Sequence, residues 1–392
     1  MVDWVRFVFK SIYYYGHLIG LSNFELDWKT GRAYTTKRST AYSIFIGLMF
    51  PTLLVFRWTG RTQFKVIFGN ANMLHEYVMV LMSGIRIAAG LLTLLSKWRS
   101  RRQVMQLSRS LFRLYQERPE VKAMCRRGIL TKYCIAIATD FTQVWISLDA
   151  LDSNVNSSML FGQFLVYSMT SIVNLAVTQH YFVLLFIRVR YLLLNRELRE
   201  VIDEANELSH RPPRRGVFIC RCCALADRVE AIASLQGRLQ SMLVKIGDLY
   251  AIQGLLVFSG YYLSSVGTGY LGYTIVKYGL NDLGMTYRRL ALLLCWCFFY
   301  YLDSLLNLFV VLYSLEEHQK TVNLMEERTL FASGLDVRLE EAFESLQLQL
   351  IRNPLKLTVM KSIPISRIAT TSMLGSILTN CIFLIQYDME YF

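Results

Sequence analysis

The hydrophobic residues of this chain are gathered into seven runs, which are separated by stretches rich in charged and polar residues. An α-helix needs about 20 mostly apolar residues to cross the hydrocarbon core of a bilayer, and the runs are close to that length. The pattern therefore predicts an all-α membrane protein with seven transmembrane helices. The predicted spans cover residues 41–56, 73–95, 133–148, 161–187, 249–276, 290–313 and 367–387.

The last span combines an apolar helix with one polar stripe. Its small and polar residues, together with one phenylalanine, recur at steps of 4, 3, 4 and 3, so they share one helical face. These residues are Ser372, Ser376, Thr379, Phe383 and Gln386. The opposite face is apolar. The stripe requires a wet or polar neighbour, which is either the water of a pore or another protein helix.

Composition agrees with a membrane protein and gives it an orientation. Hydrophobic residues make up 54% of the chain, the mean hydropathy is +0.33 and the net charge is +13. The segments 97–132 and 188–245 contain eleven Lys and Arg residues each. By the positive-inside rule these segments are cytoplasmic, and so is the amino terminus. The basic surplus is thus explained without a nucleic-acid partner, and we predict none.

The segment 133–187 contains no Lys or Arg, which places its central loop outside the cell. That loop holds a glycosylation sequon at Asn156, so Asn156 is a candidate glycosylation site. The tail after Gln386 is acidic and is predicted to be extracellular. The resulting topology is inverted relative to a G-protein-coupled receptor.

Three further segments have helical patterns. Apolar residues recur at three- and four-residue steps in 225–246 and again in 340–351, which ends before Asn353-Pro354. We expect these two helices to form a packed cytoplasmic platform, which could be shared between subunits. The aromatic segment 4–21 is predicted to lie on the inner membrane surface, with an additional span as the alternative.

The residues that carry chemistry do not point to an enzyme, a cofactor or a metal site. The chain has no P-loop, no GxSxG and no HExxH sequence. Its eight cysteines lie in apolar runs or in segments predicted to be inside, so we expect reduced thiols. For the cluster Cys220, Cys222 and Cys223 we expect helix packing, with palmitoylation as the alternative.

The seventh span resembles the signature of insect gustatory receptors, which is a Thr-Tyr pair, five hydrophobic residues and Gln-Phe. Here the motif reads Thr379-Asn380, then residues 381–385, then Gln386-Tyr387. Thr379, the spacer and Gln386 match, whereas Asn380 and Tyr387 replace the family's Tyr and Phe. The length, the seven spans, the inside amino terminus and the short outer loops agree with the same family across the whole chain.

The resemblance implies a tetrameric, ligand-gated, non-selective cation channel in the plasma membrane of a sensory dendrite. Its implied partners are a small-molecule tastant of the bitter or another contact class, membrane lipid, and further copies of itself or of other gustatory receptors. The implied division is a cytoplasmic segment 1–38, a six-helix sensing domain 39–314, a cytoplasmic anchor 315–365 and a pore helix with an outer tail 366–392. Alternatives are an odorant-type channel of the same superfamily, a G-protein-coupled receptor and a transporter.

In this architecture the stripe of the last helix is expected to line the pore. Phe383 would be a hydrophobic constriction and Gln386 a neutral ring at the outer mouth. Aromatic and uncharged polar residues in the outer halves of the other spans are candidates for binding the ligand. They are Gln143, Trp145, Tyr167, Asn174, Tyr261, Tyr262, Ser265, Trp296 and Tyr300. Charges within spans need partners, and one hypothesis is that Arg86 and Asp303 neutralise each other if the second and sixth spans touch.

Overall fold

A computed structural model describes residues 4–28, 30–58, 73–117, 119–149, 157–282, 286–329, 334–355, 358–359, 363–364 and 366–391. The candidate glycosylation site Asn156 lies outside the described residues, so it stays a prediction. The chain is α-helical, as predicted. The helices are α1 Trp4–Leu18, α2 Lys37–Trp58, α3 Met73–Arg99, α4 Arg101–Glu117, α5 Pro119–Asp149, α6 Ser157–His210, α7 Arg215–Leu249, α8 Ala251–Asp282, α9 Tyr287–Thr329, α10 Val337–Arg352 and α11 Arg367–Tyr391.

The seven apolar runs fall on α2, α3, α5, α6, α8, α9 and α11, apart from the first two residues of the fifth run. Within the described ranges, four helices are long and apolar enough to cross a membrane: α3, α6, α9 and α11. The pair α7 and α8 is a fifth candidate, although it is bent by 65°. Four or five spans thus have direct support, and the full number of seven stays a prediction.

The helix α6 is much longer than its predicted span. It runs without a break for 54 residues, from the outer loop through a large part of the basic segment 188–245. Proline is absent from this sequence until Pro212 and Pro213, which stop the helix because proline cannot donate an intrahelical hydrogen bond. The basic segment 188–245, in which only the part from 225 onwards was predicted to be helical, is therefore a helical hairpin of α6 and α7.

The two predicted cytoplasmic helices pack against each other in one chain. In α7 the buried residues include Leu225, Val229 and Leu239, and α10 contributes Phe343 and Leu346. The periodicity predicted these faces correctly, with the exception of Ile351, which is 64% exposed. The α10 helix begins at the N-cap Asp336, whose carboxylate accepts a hydrogen bond from the Arg338 amide, and ends at Arg352 next to Asn353.

The amino-terminal helix α1 is held by protein along one side. Val5, Val8 and Ile12 are buried where α1 packs on α5 and α6, and the Ser11 and Tyr133 hydroxyls lie 2.7 Å apart. Trp4 and Phe7 remain half exposed on the other side. This arrangement leaves an aromatic face for the membrane surface that the sequence predicts beside α1.

Two small antiparallel hairpins accompany the helices. One pairs β1 Glu25–Leu26 with β2 Ala33–Tyr34, and the other pairs β3 Thr358–Val359 with β4 Ile363–Pro364. The first turns at Gly31, whose positive φ of 69° favours glycine. The sequence analysis did not predict these two-residue strands. The β1–β2 hairpin positions the segment that follows α1 beside α4.

Candidate ligand cavity and pore-lining helix

A small cavity of about 40 Å³ lies between α3, α6, α8 and α9. Three of the predicted ligand residues, Asn174, Tyr261 and Tyr300, line it. The structure thus brings side chains from three predicted spans to one place. The remaining walls are mostly apolar, as is usual for small-molecule sites. The further lining residues are Ile85, Arg86, Ala89, Thr170, Val173, Val177, Leu256, Val257 and Gly260.

Arg86 forms the polar edge of the cavity together with two aromatic rings. Its guanidinium lies 5.2 Å from the centre of the Trp296 ring and 5.6 Å from that of Tyr300. The two rings are stacked, with 5.1 Å between their centres. A cation over an aromatic face is attracted by the ring quadrupole, so these residues stabilise the charge of Arg86 at membrane depth. Trp296 therefore supports the cavity wall from behind Tyr300.

The predicted pairing of Arg86 with Asp303 is wrong. Asp303 instead accepts from the Lys132 ammonium at 2.5 Å, and both side chains are buried. Lys132 reaches this position because α5 packs directly on α9. The sequence analysis assigned Lys132 to the edge of a cytoplasmic segment, whereas it lies on the helix that contains the third span and is fully buried.

A second polar group lies on the other side of Asn174. The Asn174 amide donates to Asp140 at 2.7 Å, and the Ser171 hydroxyl donates to the same carboxylate at 3.3 Å. Tyr167 interacts with Asp140 and with the Tyr15 and Ser171 hydroxyls, and Tyr15 also bonds to Ser171. Tyr167 thus belongs to a network that joins α1, α5 and α6, next to the cavity rather than within its lining.

The other candidates lie elsewhere. Trp145 is 42% exposed and lines an outer groove with Asp149 and Arg288. The Ser265 hydroxyl donates to the Tyr261 carbonyl of its own helix at 2.8 Å. Gln143 lies on α5 and does not line the small cavity. Location in the predicted outer half of a span was therefore not sufficient to identify the residues that line the cavity.

Several residues that line or support the small cavity were not predicted, although their spacing in the sequence could have identified them. Thr170, Val173, Asn174 and Val177 follow an i, i+3, i+4, i+7 spacing, so helical periodicity places them on the same face. Arg86 was noticed only as a charge that needs a carboxylate. The aromatic residues at 296 and 300 are four apart on one helix, which predicts a paired surface suited to a cation.

Among the described elements, the last helix, α11, packs mainly against α8, and Arg367 at its start forms an ion pair with Glu316 of α9. The contact is close where Gly269 meets Cys381, because a Cβ at position 269 would lie 2.7 Å from the cysteine sulfur. The predicted pore residues Ser372, Thr379, Phe383 and Gln386 point away from this contact and are exposed. Phe383 is 63% exposed. In the described part of the chain, no element covers these four residues, whereas Ser376 contacts α8.

Tyr262 connects α8 to α11 and does not line the cavity. The Asn380 amide donates to the Tyr262 hydroxyl at 2.7 Å, and the Ser376 hydroxyl lies 2.8 Å from the same oxygen. Asn380 also donates to the Ser376 carbonyl one turn earlier, at 2.8 Å. Ser376 thus sits at the edge of the polar stripe nearest α8. Asn380, which replaces the Tyr of the gustatory-receptor motif, thus takes part in the packing of α11 on α8.

A second connection joins the outer ends of the same helices. Asp388 is fully buried and accepts from Tyr270 at 2.9 Å, from Lys277 at 2.8 Å and from Tyr278 at 3.2 Å. The residues after Gln386 were predicted to form an acidic tail. The helix instead continues to Tyr391, because three donors on α8 compensate the carboxylate of Asp388.

Comparison with known proteins identifies relatives over the full length. A family model described as 7tm chemosensory receptor matches residues 9–391. The chain is 47% identical to the Drosophila melanogaster protein named gustatory receptor 36c and 44% identical to the one named gustatory receptor 36a, in each case over 392 residues that cover all of both chains. It is 35% identical to the protein named gustatory receptor 59d of the same organism, again over the whole of both chains.

The fold is also similar to that of a solved structure. The insect olfactory receptor OR5 from Machilis hrabei, in complex with eugenol, superposes with a TM-score of 0.69 at 12% identity. The superposition covers 98% of each chain. The structure of OR5 described without eugenol gives a TM-score of 0.67. The similarity therefore extends over the whole fold and includes the helices that surround the small cavity.

Proposed function

Because this chain belongs to the 7tm chemosensory receptor family, we propose that it is a gustatory receptor that works as a cation channel opened by a small-molecule tastant. One observation carries the channel proposal: the polar stripe of α11 is exposed along its length although the helix is apolar enough to span a membrane. Polar groups facing lipid are costly, so this stripe needs water or protein beside it.

Four copies of α11 around a common axis would satisfy that need. Such an arrangement places the hydroxyl and amide groups of Thr379 and Gln386 against water and the Phe383 rings at a constriction. Since the stripe contains no Asp or Glu, selection among cations by a carboxylate ring is absent. We therefore expect weak discrimination between Na⁺ and K⁺.

The ligand would enter the cavity next to Arg86. The cavity is small in this structure, about 40 Å³, whereas known ligand pockets measure about 300–1,000 Å³. Binding of a tastant therefore requires the surrounding helices to separate. Tyr261 and Tyr300 would contact the ligand with their rings, while Arg86 and Asn174 would supply hydrogen bonds.

Helix α8 offers a short route from the cavity to the pore. Tyr261 lines the cavity, and the next residue, Tyr262, is bonded to α11 through Asn380 and Ser376. A displacement of α8 that makes room for a ligand would act directly on the pore helix. The ligand would favour the displaced arrangement to the extent that it binds this arrangement more tightly than the arrangement without displacement.

The decisive experiment is a current recording from cells that express this chain alone, or together with another gustatory receptor, while contact chemicals are screened. We expect ligand-evoked cation current that persists in excised patches without GTP. A response that depends on GTP and shows no conductance in excised patches would contradict the proposal and favour a G-protein-coupled receptor. Odorant-type function remains the second candidate because of the fold shared with OR5, and volatile compounds belong in the same screen.

A further inference from the structure

A larger cavity, of about 610 Å³, lies at the end of the helix bundle that the charge pattern predicts to be cytoplasmic. It is enclosed by α1, the segment 21–28, the end of α3, α4 and the middle of α6. Its walls are mainly apolar, and its volume falls in the range of about 300–1,000 Å³ found for small-molecule sites. The apolar lining includes Phe9, Ile12, Leu107, Leu111, Phe182 and Phe186.

The cavity contains a buried positive charge with neutral partners. Lys97 lines it and is only 5% exposed. The Lys97 ammonium donates to the Tyr250 hydroxyl at 2.7 Å and lies 4.3 Å from the centre of the Tyr250 ring. Within the described ranges, no carboxylate oxygen forms an ion pair with it. Burial of an ammonium that lacks an anionic partner is costly, so an anion at this position would be bound strongly.

Other groups on the cavity wall would also interact favourably with an anion or a hydrogen-bond acceptor. The indole Nε1 of Trp28 is buried and has no hydrogen-bond partner among the described residues, although indole N–H groups are normally satisfied when buried. Arg6 adds a second cationic side chain to the lining. The cavity thus combines apolar walls with the buried Lys97 ammonium and with an indole donor that lacks an acceptor among the described residues.

From these features we infer that the cavity binds an anionic amphiphile, with its acyl chain along the apolar walls and its head group at Lys97. A carboxylate or phosphate head would pair with the ammonium, and the chain would replace water against the phenylalanine rings. The cavity lies at the predicted boundary between membrane and cytoplasm, where such molecules are abundant. The head group could come from a free fatty acid or from a lysophospholipid, which share this chemistry.

The test is competition binding to the full-length protein in phosphatidylcholine nanodiscs, with a dansyl-labelled undecanoic acid as the probe. We expect saturable binding, displaced by oleate or by oleoyl lysophosphatidate at about tenfold lower concentration than by monoolein, which has the same chain but no charge. The more effective acid identifies the source of the head group. Equal displacement by monoolein, or no saturable binding, would refute the inference.

Variants locate the site. Lys97→Met keeps the length of the side chain but removes its charge, and we expect it to weaken probe binding about tenfold. Lys245→Met makes the same change at an exposed position outside the cavity and should leave binding unaltered. Ser108→Trp keeps every charge while filling the cavity, so it should abolish binding even if Lys97→Met fails to fold. Unchanged binding in Ser108→Trp would overturn the location. Since no current is measured, the result is independent of the proposed channel function.

Discussion

Phe383 is the residue whose role can be tested most directly. Its ring is 63% exposed on the polar stripe of α11, where in the proposed tetramer four rings would close the pore. We expect Phe383→Ala to widen the constriction and to raise the current in the absence of ligand, measured as the ratio of basal to maximal current. Ile382→Ala is the control, because Ile382 is 56% exposed on an adjacent face. Unchanged basal and evoked currents in Phe383→Ala would show that the gate lies elsewhere.

The proposed ligand cavity can be tested by a substitution at Arg86. Replacement of Arg86 by Gln keeps hydrogen-bonding groups but removes the cation that lies over Trp296 and Tyr300. Cation–π contacts contribute about 0.5–2 kcal/mol, so we expect the half-maximal tastant concentration to rise by about two- to thirtyfold. Arg199→Gln, at an exposed position on the inner part of α6, is the matched control. An equal shift in both variants would indicate a general effect on the protein.

The buried pair of Lys132 and Asp303 predicts an effect on stability. Removal of one partner leaves a charge in an apolar environment, which costs about 3–5 kcal/mol. We expect Lys132→Met to lower the thermal unfolding midpoint of the purified protein strongly. The double variant Lys132→Met with Asp303→Leu should recover much of that loss, because neither charge remains. A double variant that is less stable than either single one would contradict this account.

At the scale of elements, the Tyr262 hydroxyl provides one of the contacts between α8 and α11. Tyr262→Phe removes the oxygen that Asn380 and Ser376 share, and Asn380→Ala removes the donor. Because both changes break one hydrogen-bonded group, their effects on the midpoint of ligand activation should be non-additive by about 0.5–3 kcal/mol. Tyr262→Phe combined with Ser265→Ala, on the same helix, is the control cycle. Additive effects in the first cycle would exclude a role for this contact in gating.

The sequence predicted the helical elements well where one helix determines its own pattern. The buried faces of α7 and α10 followed from three- and four-residue spacing, whereas the role of the α11 stripe in a pore stays a prediction. The predicted length of α6 was too short because the predicted span ends before Arg188. Hydropathy falls at that residue, although the helix continues. Hydropathy reports the solvent around a helix, not where the helix ends.

Contacts between helices were the part that the sequence could not supply. Arg86 and Asp303 carry opposite charges within predicted spans, but Lys132 is the partner of Asp303 because α5 packs on α9. Likewise, Tyr261 and Tyr262 looked equivalent as adjacent tyrosines, whereas one lines the cavity and the other bonds to α11. The choice of partner depends on which helices are neighbours, and that information is absent from the periodicity of a single helix.

For the whole molecule, the predicted orientation has a clear test. The basic segments 97–132 and 188–245 should be cytoplasmic. An epitope tag at the amino terminus should therefore be stained only after permeabilisation, and a tag after Phe392 should be stained on intact cells. The same tags in the opposite pattern would place the amino terminus outside, as in a G-protein-coupled receptor. Surface expression measured by biotinylation is the control for both tags.

The length of α6 has a consequence for the whole receptor. Its 54 residues extend for about 80 Å, whereas the hydrocarbon core of a bilayer is only about 30 Å thick. Asn174 borders the small cavity, and Asn195 on the same helix, about 30 Å away, is bonded to Glu317 and Thr321. If the helix moves as one body, a cytoplasmic protein that binds its inner end and holds it in one position must change the affinity of the receptor for a tastant. By reciprocity, the tastant must change the affinity of that protein by the same factor.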